Sequence, residues 1–521
     1  MNYGFIIDNR RCIGCHACTV ACKAEHDTPI GVNRTWVKYV EKGSYPHTRR
    51  VFTVHRCNHC EDAPCVAICP VRSLFTREDG IVDFDRERCI GCKACMQACP
   101  YDALHIDPQI HTSTKCNYCA HRIDRGLEPA CVNVCPVHAI ISGDMDNSES
   151  EISRMLSRTQ VSVRKPEKNT RPKLFYVEGD TAAIRPEAAP PESHYLFSAQ
   201  TRGVGHFAGK NAEPQRAMPF TTAAAALVRS QEAPAVQKAV RTYDIPQKGV
   251  LWGWEVTGYL WTKSISAGVL FIPLFLNLMG LMPMAPRLEL GLALVSLVFL
   301  GLTGMLLVKD LDRPMRFLYV LLRPQLKSWL ARGAYIIGAF GGLTTVWLAL
   351  VFLELPDGPW LRWLLVALAL LTAVYTAFLM AQAKGRDLWQ SPLMPFNMLL
   401  NSAMTGSAML LLLGLITGQG LLAPALAALQ VAIVLHLLVL LVEFNLPHVT
   451  RDTEAALHMI TAGPLRLAFW SSVLLGNVLP LALLWSASNG LLVLPAAALV
   501  LLFTLVSEHV WVQAPQLVPL H

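Results

Sequence analysis

All sixteen cysteines of this 521-residue chain lie between Cys12 and Cys135, in four groups of four. The first group is Cys12, Cys15, Cys18 and Cys22, and the third is Cys89, Cys92, Cys95 and Cys99. Both have the spacing C-x2-C-x2-C-x3-C. The second, Cys57, Cys60, Cys65 and Cys69, runs C-x2-C-x4-C-x3-C, and the fourth, Cys116, Cys119, Cys131 and Cys135, runs C-x2-C-x11-C-x3-C. Groups one and three are near copies (CIGCHACTVAC and CIGCKACMQAC). Groups two and four share CNHC or CNYC openings and CVAICPV or CVNVCPV endings. The region is an internal duplication of a two-group unit and reads as a repeat.

The spacing carries the chemistry. A C-x2-C-x2-C loop curls three thiolates around one face of an iron–sulfur cubane, and the fourth cysteine, in the next helical turn, serves the other cluster of a two-cluster fold. Thiolates are the soft ligands that such clusters select. Pro70, Pro100 and Pro136 follow the last cysteine of three groups and end the loop, whereas Lys23 stands there in the first. Zinc ribbons and disulfides also use C-x2-C pairs, but here every cysteine fits cluster spacing, and the triple is too crowded for a tetrahedral zinc site. The chain's start, with Arg10-Arg11 directly against Cys12, is not expected to carry a cleaved export signal, which argues against an oxidising compartment. Four 4Fe–4S clusters are expected, in an α+β ferredoxin-like head over residues 1–143. With four thiolates for each cubane, the nearby His16, His26, His55, His59 and His121 read as surface or supporting residues. Lys23, Lys93 and Lys115 read as charges that tune cluster potential.

Composition separates this head from the remainder. Apolar residues make up 53% and charged residues 16%, against about 25% charged in an ordinary soluble globule. Residues 1–249 hold 59 of the 83 charged side chains and residues 250–521 only 24. Eight apolar stretches follow, at 254–281, 289–308, 333–354, 360–382, 394–416, 422–444, 466–487 and 491–511, each of the roughly 20 residues needed to cross the hydrocarbon core. Residues 250–521 are therefore expected to form an all-α eight-helix transmembrane bundle. Between head and bundle, residues 144–249 lack cysteine and are rich in Pro, Ala and Gly. They read as an extended linker or docking arm, with 185–192 as extended chain and 173–178 as a short strand. Disorder, a collagen-like fibre and a secreted disulfide scaffold are excluded for the whole. A net charge of +7, without a basic stripe interleaved with aromatics, gives nucleic-acid binding no support.

An even number of spans returns the chain to the head's side. The connections on that side carry Lys309, Arg313, Arg316, Arg323, Lys327, Arg332, Lys384, Arg386, Arg451 and Arg466, and those opposite carry only Arg287 and Arg362. The positive-inside rule then places the head and both termini in the cytoplasm, at the inner membrane. Ionisable groups within the spans are functional candidates because each is costly in lipid. Glu255, Tyr259 and Lys263 form one stripe of the first span, four residues apart. Lys309-Asp310 and Asp312-Arg313 end the second and Arg332 opens the third. Tyr375 and Gln382 lie on the fourth, Asn397 and Asn401 on the fifth. His436 and Glu443 share a face of the sixth, and Glu508 and His509 close the eighth. Lys309, Asp312, Arg313 and Arg316 read as loop salt bridges and topology determinants, and Trp252, Trp254 and Trp261 as interfacial aromatics. The stripe of the first span reads as functional. His436 with Glu443 is either a proton route or an interhelical hydrogen bond.

The four-group cysteine pattern resembles the electron-transfer subunits of the dimethyl-sulfoxide-reductase superfamily. The body is similar to the polysulfide-reductase membrane-anchor family over about residues 250–515, through WGWEVTGYLWTKSISAG, DLDRPMRF, SWLARGAY and YTAFLMAQAKGRDLWQSPLMP. These families normally supply two chains; here they are fused. The resemblance implies a cluster wire between a separate molybdenum- or tungsten-pterin catalytic subunit and a quinone, menaquinone or ubiquinone, on the anchor. It implies that Cys12, Cys15, Cys18 and Cys135 hold one cluster, and Cys116, Cys119, Cys131 and Cys22 its neighbour. Cys57, Cys60, Cys65 and Cys99 would hold a third, and Cys89, Cys92, Cys95 and Cys69 the fourth. It also implies a quinone pocket that falls on Glu255, Tyr259 and Tyr375, with Glu255, Lys263 or Asp310 exchanging the quinone's protons. A first-helix histidine found in some members is absent here, and several relatives face outward. The chain is thus expected to be the electron-transfer and anchor subunit of a quinone-linked oxidoreductase whose substrate chemistry lies on a partner. The rival expectations are a proton translocator using His436, Glu443 and Asp310, and a ferredoxin-fed quinone reductase without molybdenum.

Overall fold

The computed structural model describes residues 1–189, 239–245, 248–419, 423–448, 450–486 and 492–521. They divide into two compact units. One is Met1–Leu251 together with Ala383–Arg386 and Gln516–His521; the other is Trp252–Gln382 with Asp387–Pro515.

In the first unit, the continuous apolar run Phe5-Ile6-Ile7 makes Tyr3–Asp8 a strand buried on both faces, as a central strand must be. Ile140–Asp144 pairs with it antiparallel on one side and Leu174–Val177 parallel on the other, with Val161–Ser162 at the edge. Ile6, Ile141 and Val177 pack one face against Ile152 of the helix Glu151–Arg158. Phe5, Ile7, Ile140, Leu174 and Tyr176 pack the other against Val37 and Val54. These last two belong to a second sheet, in which Thr35–Ser44 pairs antiparallel with both His47–Arg56 and Ala239–Tyr243.

Residues 144–189 were expected to be linker and are instead integral to this unit. The strand expected at 173–178 is present as Leu174–Val177, and its buried Leu174, Tyr176 and Val177 complete the core. The stretch expected at 185–192 opens with a short 3-10 turn, Pro186–Ala188, and the remainder of the arm, 190–238, lies outside the described residues.

Two segments remote in sequence close the same unit. Arg386 Nε donates to Gln97 Oε1 (2.8 Å) and its Nη1 to the Val518 carbonyl (2.8 Å). Gln97 Nε2 donates to Gln516 Oε1 (2.5 Å). Asp102 takes ion pairs from Lys248 (2.6 Å) and His521 (2.8 Å). Arg386, read from sequence as a topology charge, is only 5% exposed.

The second unit contains eight helices long and apolar enough to cross a membrane: Trp254–Leu278, Pro286–Lys309, Trp329–Phe352, Pro359–Gln382, Met394–Ile416, Ala423–Asn445, Arg466–Ser486 and Val493–Leu517. The first is central, packed against the second, fourth and fifth. Its small residues permit this. A methyl built on Gly268 would stand 1.9 Å from the Ser402 carbonyl oxygen, and one on Gly406 would stand 2.2 Å from the Gly268 carbonyl carbon, so the helices cross backbone to backbone. The seventh is interrupted by a π-helical turn at Leu474–Val478. The eighth continues well past Glu508 and His509, which do not close it. An additional helix, Arg451–Thr461, is capped by the Thr450 hydroxyl.

Candidate functional site

The duplication is visible in the backbone. Gly14 and Gly91 have φ 69° and 74°, and His16 and Lys93 have φ 61° and 59°, at matching places of the two C-x2-C-x2-C loops. These left-handed turns bring two thiols of each loop round to the third, which lies in the first turn of the helices Ala17–Glu25 and Ala94–Ala98. Glycine adopts them without steric cost.

The thiols gather in four sets, each drawing on two groups. Cys12, Cys15, Cys18 and Cys135 line one concavity. Cys22 faces Cys116, Cys119 and Cys131. Cys65 faces Cys57, Cys60 and Cys99, and Cys95 faces Cys89, Cys92 and Cys69. All sixteen are free of disulfides. Among the described residues no three His, Cys, Asp or Glu side chains close on a single metal ion. Backbone amides already point at several sulfurs: Ala139 N–H at Cys135 (3.2 Å) and Ser113 N–H at Cys89 (3.4 Å). Burial pushes the Cys18 thiol up to about 11 and Cys60 up to about 12. Thiols so placed ionise only against a strong Lewis acid, and a multi-iron cluster fits both that requirement and the donor set.

Of the five nearby histidines, His26 touches a thiol, with Nε2 3.3 Å from Cys119 Sγ. His121 is bound to Glu25. His59 is buried and its Nδ1 accepts from Val82 N–H, and His55 stacks on Trp36. Lys115 is fully buried and donates to the Cys116 carbonyl (2.8 Å).

In the membrane unit, Tyr259 and Lys263 of the first span meet Tyr375 of the fourth and Glu508 of the eighth. The Lys263 ammonium is buried, donates to the Ala373 carbonyl (2.7 Å) and lies over the Tyr375 ring (5.2 Å). Tyr375 is seated by Gly333, where a methyl would stand 2.2 Å from the ring. Asn401 Nδ2 donates to Glu508 Oε1 (2.9 Å). The Glu508 charge acts on both Lys263 and Tyr259, and that of Asp310 on Tyr259. So the structure brings together Tyr259, Lys263 and Tyr375, with Asp310 in electrostatic reach. Glu255 is half-buried one turn away, its carboxylate beside Gly253. Glu508 and Asn401, noted from sequence among the polar groups of the spans, were not placed in the expected quinone pocket. Trp252, expected at the interface, is buried and stacked on Trp389.

A second polar cluster involves His436, whose Nδ1 is 2.8 Å from Asn477 Oδ1 and Nε2 3.1 Å from Asn397 Oδ1. The π-helical turn carries Asn477. Glu443 accepts from the Ser391 hydroxyl (2.6 Å), and a small cavity lies between Ser391, Asn397, Leu440, Glu443 and Trp511. Asp310, which the rival expectation joins to His436 and Glu443, acts on Tyr259.

Clustered thiols in a ferredoxin-like head, joined in one chain to a helical membrane body, define an iron–sulfur electron-transfer protein with its own multi-pass anchor. The sequence matches the 4Fe-4S dicluster domain over residues 11–74 and 48–145, and the polysulphide reductase NrfD family over residues 245–519. The chain belongs to that NrfD family, with a 4Fe–4S dicluster head fused before the anchor. The head is 46% identical to a subunit of the tetrathionate reductase of Salmonella typhimurium over 188 residues, 35% of this chain and 75% of that one. It is 41% identical to a component of the polysulfide reductase of Wolinella succinogenes over 187 residues, 35% of this chain and 97% of that one. It is 37% identical to the iron-sulfur subunit of a putative dimethyl sulfoxide reductase of Halobacterium salinarum over 215 residues, 36% and 82% of the two chains. The protein is the electron-transfer and membrane-anchor subunit of an oxidoreductase complex.

Proposed function

We propose that this subunit passes electrons between a molybdenum- or tungsten-pterin catalytic partner and the membrane quinone pool through four 4Fe–4S clusters. The observation that carries the reading is the gathering of sixteen thiols into four sets of four, each drawn from two groups. Cys12, Cys15, Cys18 and Cys135 hold one cluster, and Cys22, Cys116, Cys119 and Cys131 the next. Cys57, Cys60, Cys65 and Cys99 hold a third, and Cys69, Cys89, Cys92 and Cys95 the fourth. When bound, each supplies a one-electron relay. Tyr259 and Tyr375 offer phenol hydrogen bonds to a quinone oxygen, while Lys263 and Glu508 hold the protons that its reduction or oxidation exchanges. Glu255 and Asp310 carry those protons toward the water. The excess of Lys and Arg in the connections on the head's side supports a cytoplasmic head.

Purification from native membranes in mild detergent, with elemental analysis, tests this. About 16 Fe per chain with one Mo or W is expected, and the co-purifying chain identifies the substrate class. Full iron without Mo or W removes the pterin partner and favours the ferredoxin-fed route. A second reading, proton translocation, is supported by His436 held between Asn397 and Asn477 beside the Glu443 cavity. Proton uptake in proteoliposomes exceeding the quinone stoichiometry would establish it.

A further inference from the structure

Two arginines outside every motif lie deep in the head unit beside the same thiols. Arg56 is fully buried. Its Nη1 donates to Cys131 Sγ (3.0 Å), its guanidinium covers the Phe5 ring (4.6 Å), and its Nε and Nη2 have no hydrogen-bond partner. Arg34 is 4% exposed, and its Nε and Nη1 are likewise unpartnered. The thiols that act most strongly on Arg56 are those of Cys131, Cys116 and Cys18, and on Arg34 those of Cys22, Cys116 and Cys119.

A guanidinium cannot be neutralised in a protein, and burying it without an anion is strongly unfavourable. Among the described residues no carboxylate pairs with either arginine. A group that carries negative charge and presents several sulfur acceptors to the idle N–H donors would satisfy both arginines. His26 Nε2 adds a third contact, at Cys119.

The other sets are differently placed. Arg56 reaches the Cys12, Cys15, Cys18 and Cys135 set only through Cys18, and Cys15 is exposed. Lys115 acts on Cys65 of a third set, and Lys173, already bound to Asn2 Oδ1 (2.9 Å) and the Gly80 carbonyl, acts on Cys57 and Cys60. The Asp102 carboxylate, however, acts on Cys99 of the same set in the opposite sense. Cys89 accepts from the neutral Ser113 N–H (3.4 Å), and Cys95 Sγ lies 3.2 Å from the Ser113 hydroxyl.

We infer that Arg34 and Arg56 hold the cluster ligated by Cys22, Cys116, Cys119 and Cys131 at the most positive potential of the four, making it the electron reservoir of the wire. This rests on the ligand assignment proposed above. Each electron that arrives leaves a neighbouring centre one unit more oxidised and adds one negative charge here. Two fixed positive charges in a low-dielectric site favour that addition, as do hydrogen bonds to the sulfurs.

Potentiometric titration of the complete complex, followed by low-temperature EPR, tests the assignment in Arg34→Met and Arg56→Met. In both, the highest-potential signal should lose at least tenfold in its equilibrium constant for reduction, about 59 mV for a one-electron couple. Arg56→Met should also move a second signal, less, through Cys18. An unmoved highest-potential signal, or movement of a different one alone, overturns the inference. Iron is measured in every sample. Less than about 16 Fe per chain in the unsubstituted protein sinks the four-cluster reading itself, separately from the tuning. Should a methionine variant lose iron, Arg34→Lys and Arg56→Lys decide: a smaller shift of the same signal supports the inference, and none refutes it.

Discussion

The crossing of the first and fifth spans makes a sharp prediction. In Gly268→Ala, the new methyl would stand 1.9 Å from the Ser402 carbonyl oxygen and 2.9 Å from Gly406 Cα. Non-bonded heavy atoms settle at about 3.5–4.0 Å, so the helices must part by roughly 1.5 Å at their closest point. Backbone on both sides leaves no flexible side chain to yield. Overpacking of this kind costs about 1–3 kcal/mol, sometimes more. Ser402 neighbours Asn401, which holds Glu508, and loosening a hydrogen bond to a charged group costs about 1.5–3 kcal/mol. A loss of about 2 kcal/mol or more in unfolding free energy is therefore expected, together with impaired quinone-linked turnover. Alanine also gains up to about 1 kcal/mol over glycine in helix propensity, so the reference is Gly342→Ala, where nothing lies within 4 Å. Gly291→Ala, at 3.6 Å from Leu413, should behave like that reference. The assay is steric-trap unfolding of the purified protein in mild detergent. If Gly268→Ala matches Gly342→Ala, the backbone crossing is not what the structure says it is.

Three further outcomes are expected. Glu508→Gln should lower quinone-linked turnover about 10²–10⁴-fold while iron content and the cluster EPR signals stay as they were. Turnover within threefold of the unsubstituted protein would remove Glu508 from the proton path. Arg386→Met loses its bonds to Gln97 and to the Val518 carbonyl, so the head should be destabilised by about 1.5–3 kcal/mol. The visible cluster absorbance would then bleach at lower temperature, and an unchanged bleaching temperature would contradict that role. Extracting the iron with a chelator should unfold the head, because binding energy at such sites is folding energy. Circular dichroism should then lose its β-sheet component while the helical signal persists, and full retention of the sheet signal would contradict this.

The cysteine groups were legible because cluster ligation imposes spacing directly on the chain. The eight spans were legible because crossing hydrocarbon imposes length and apolarity. Both constraints are local. Residues 144–189 escaped because no motif marks them: Leu174, Tyr176 and Val177 become buried only by pairing with Tyr3–Asp8, far away in sequence. The charge at Arg386 was counted toward topology, yet its burial depends on Gln97 and Val518, which no window containing residue 386 reveals.

Glu508 shows the same limit within the membrane. Hydropathy registers how well a stretch tolerates lipid and is blind to the face turned inward, so the apolar run was read as ending just past Glu508 although the helix reaches Leu517. What makes a carboxylate tolerable there is contributed by two other helices, through Asn401 and Lys263. Buried polar groups in lipid need partners, and those partners are three-dimensional facts. Arg34 and Arg56 obey the same rule in the head. Each looks like an ordinary surface cation in sequence, and each is explained only by the thiols that a distant cysteine group brings beside it.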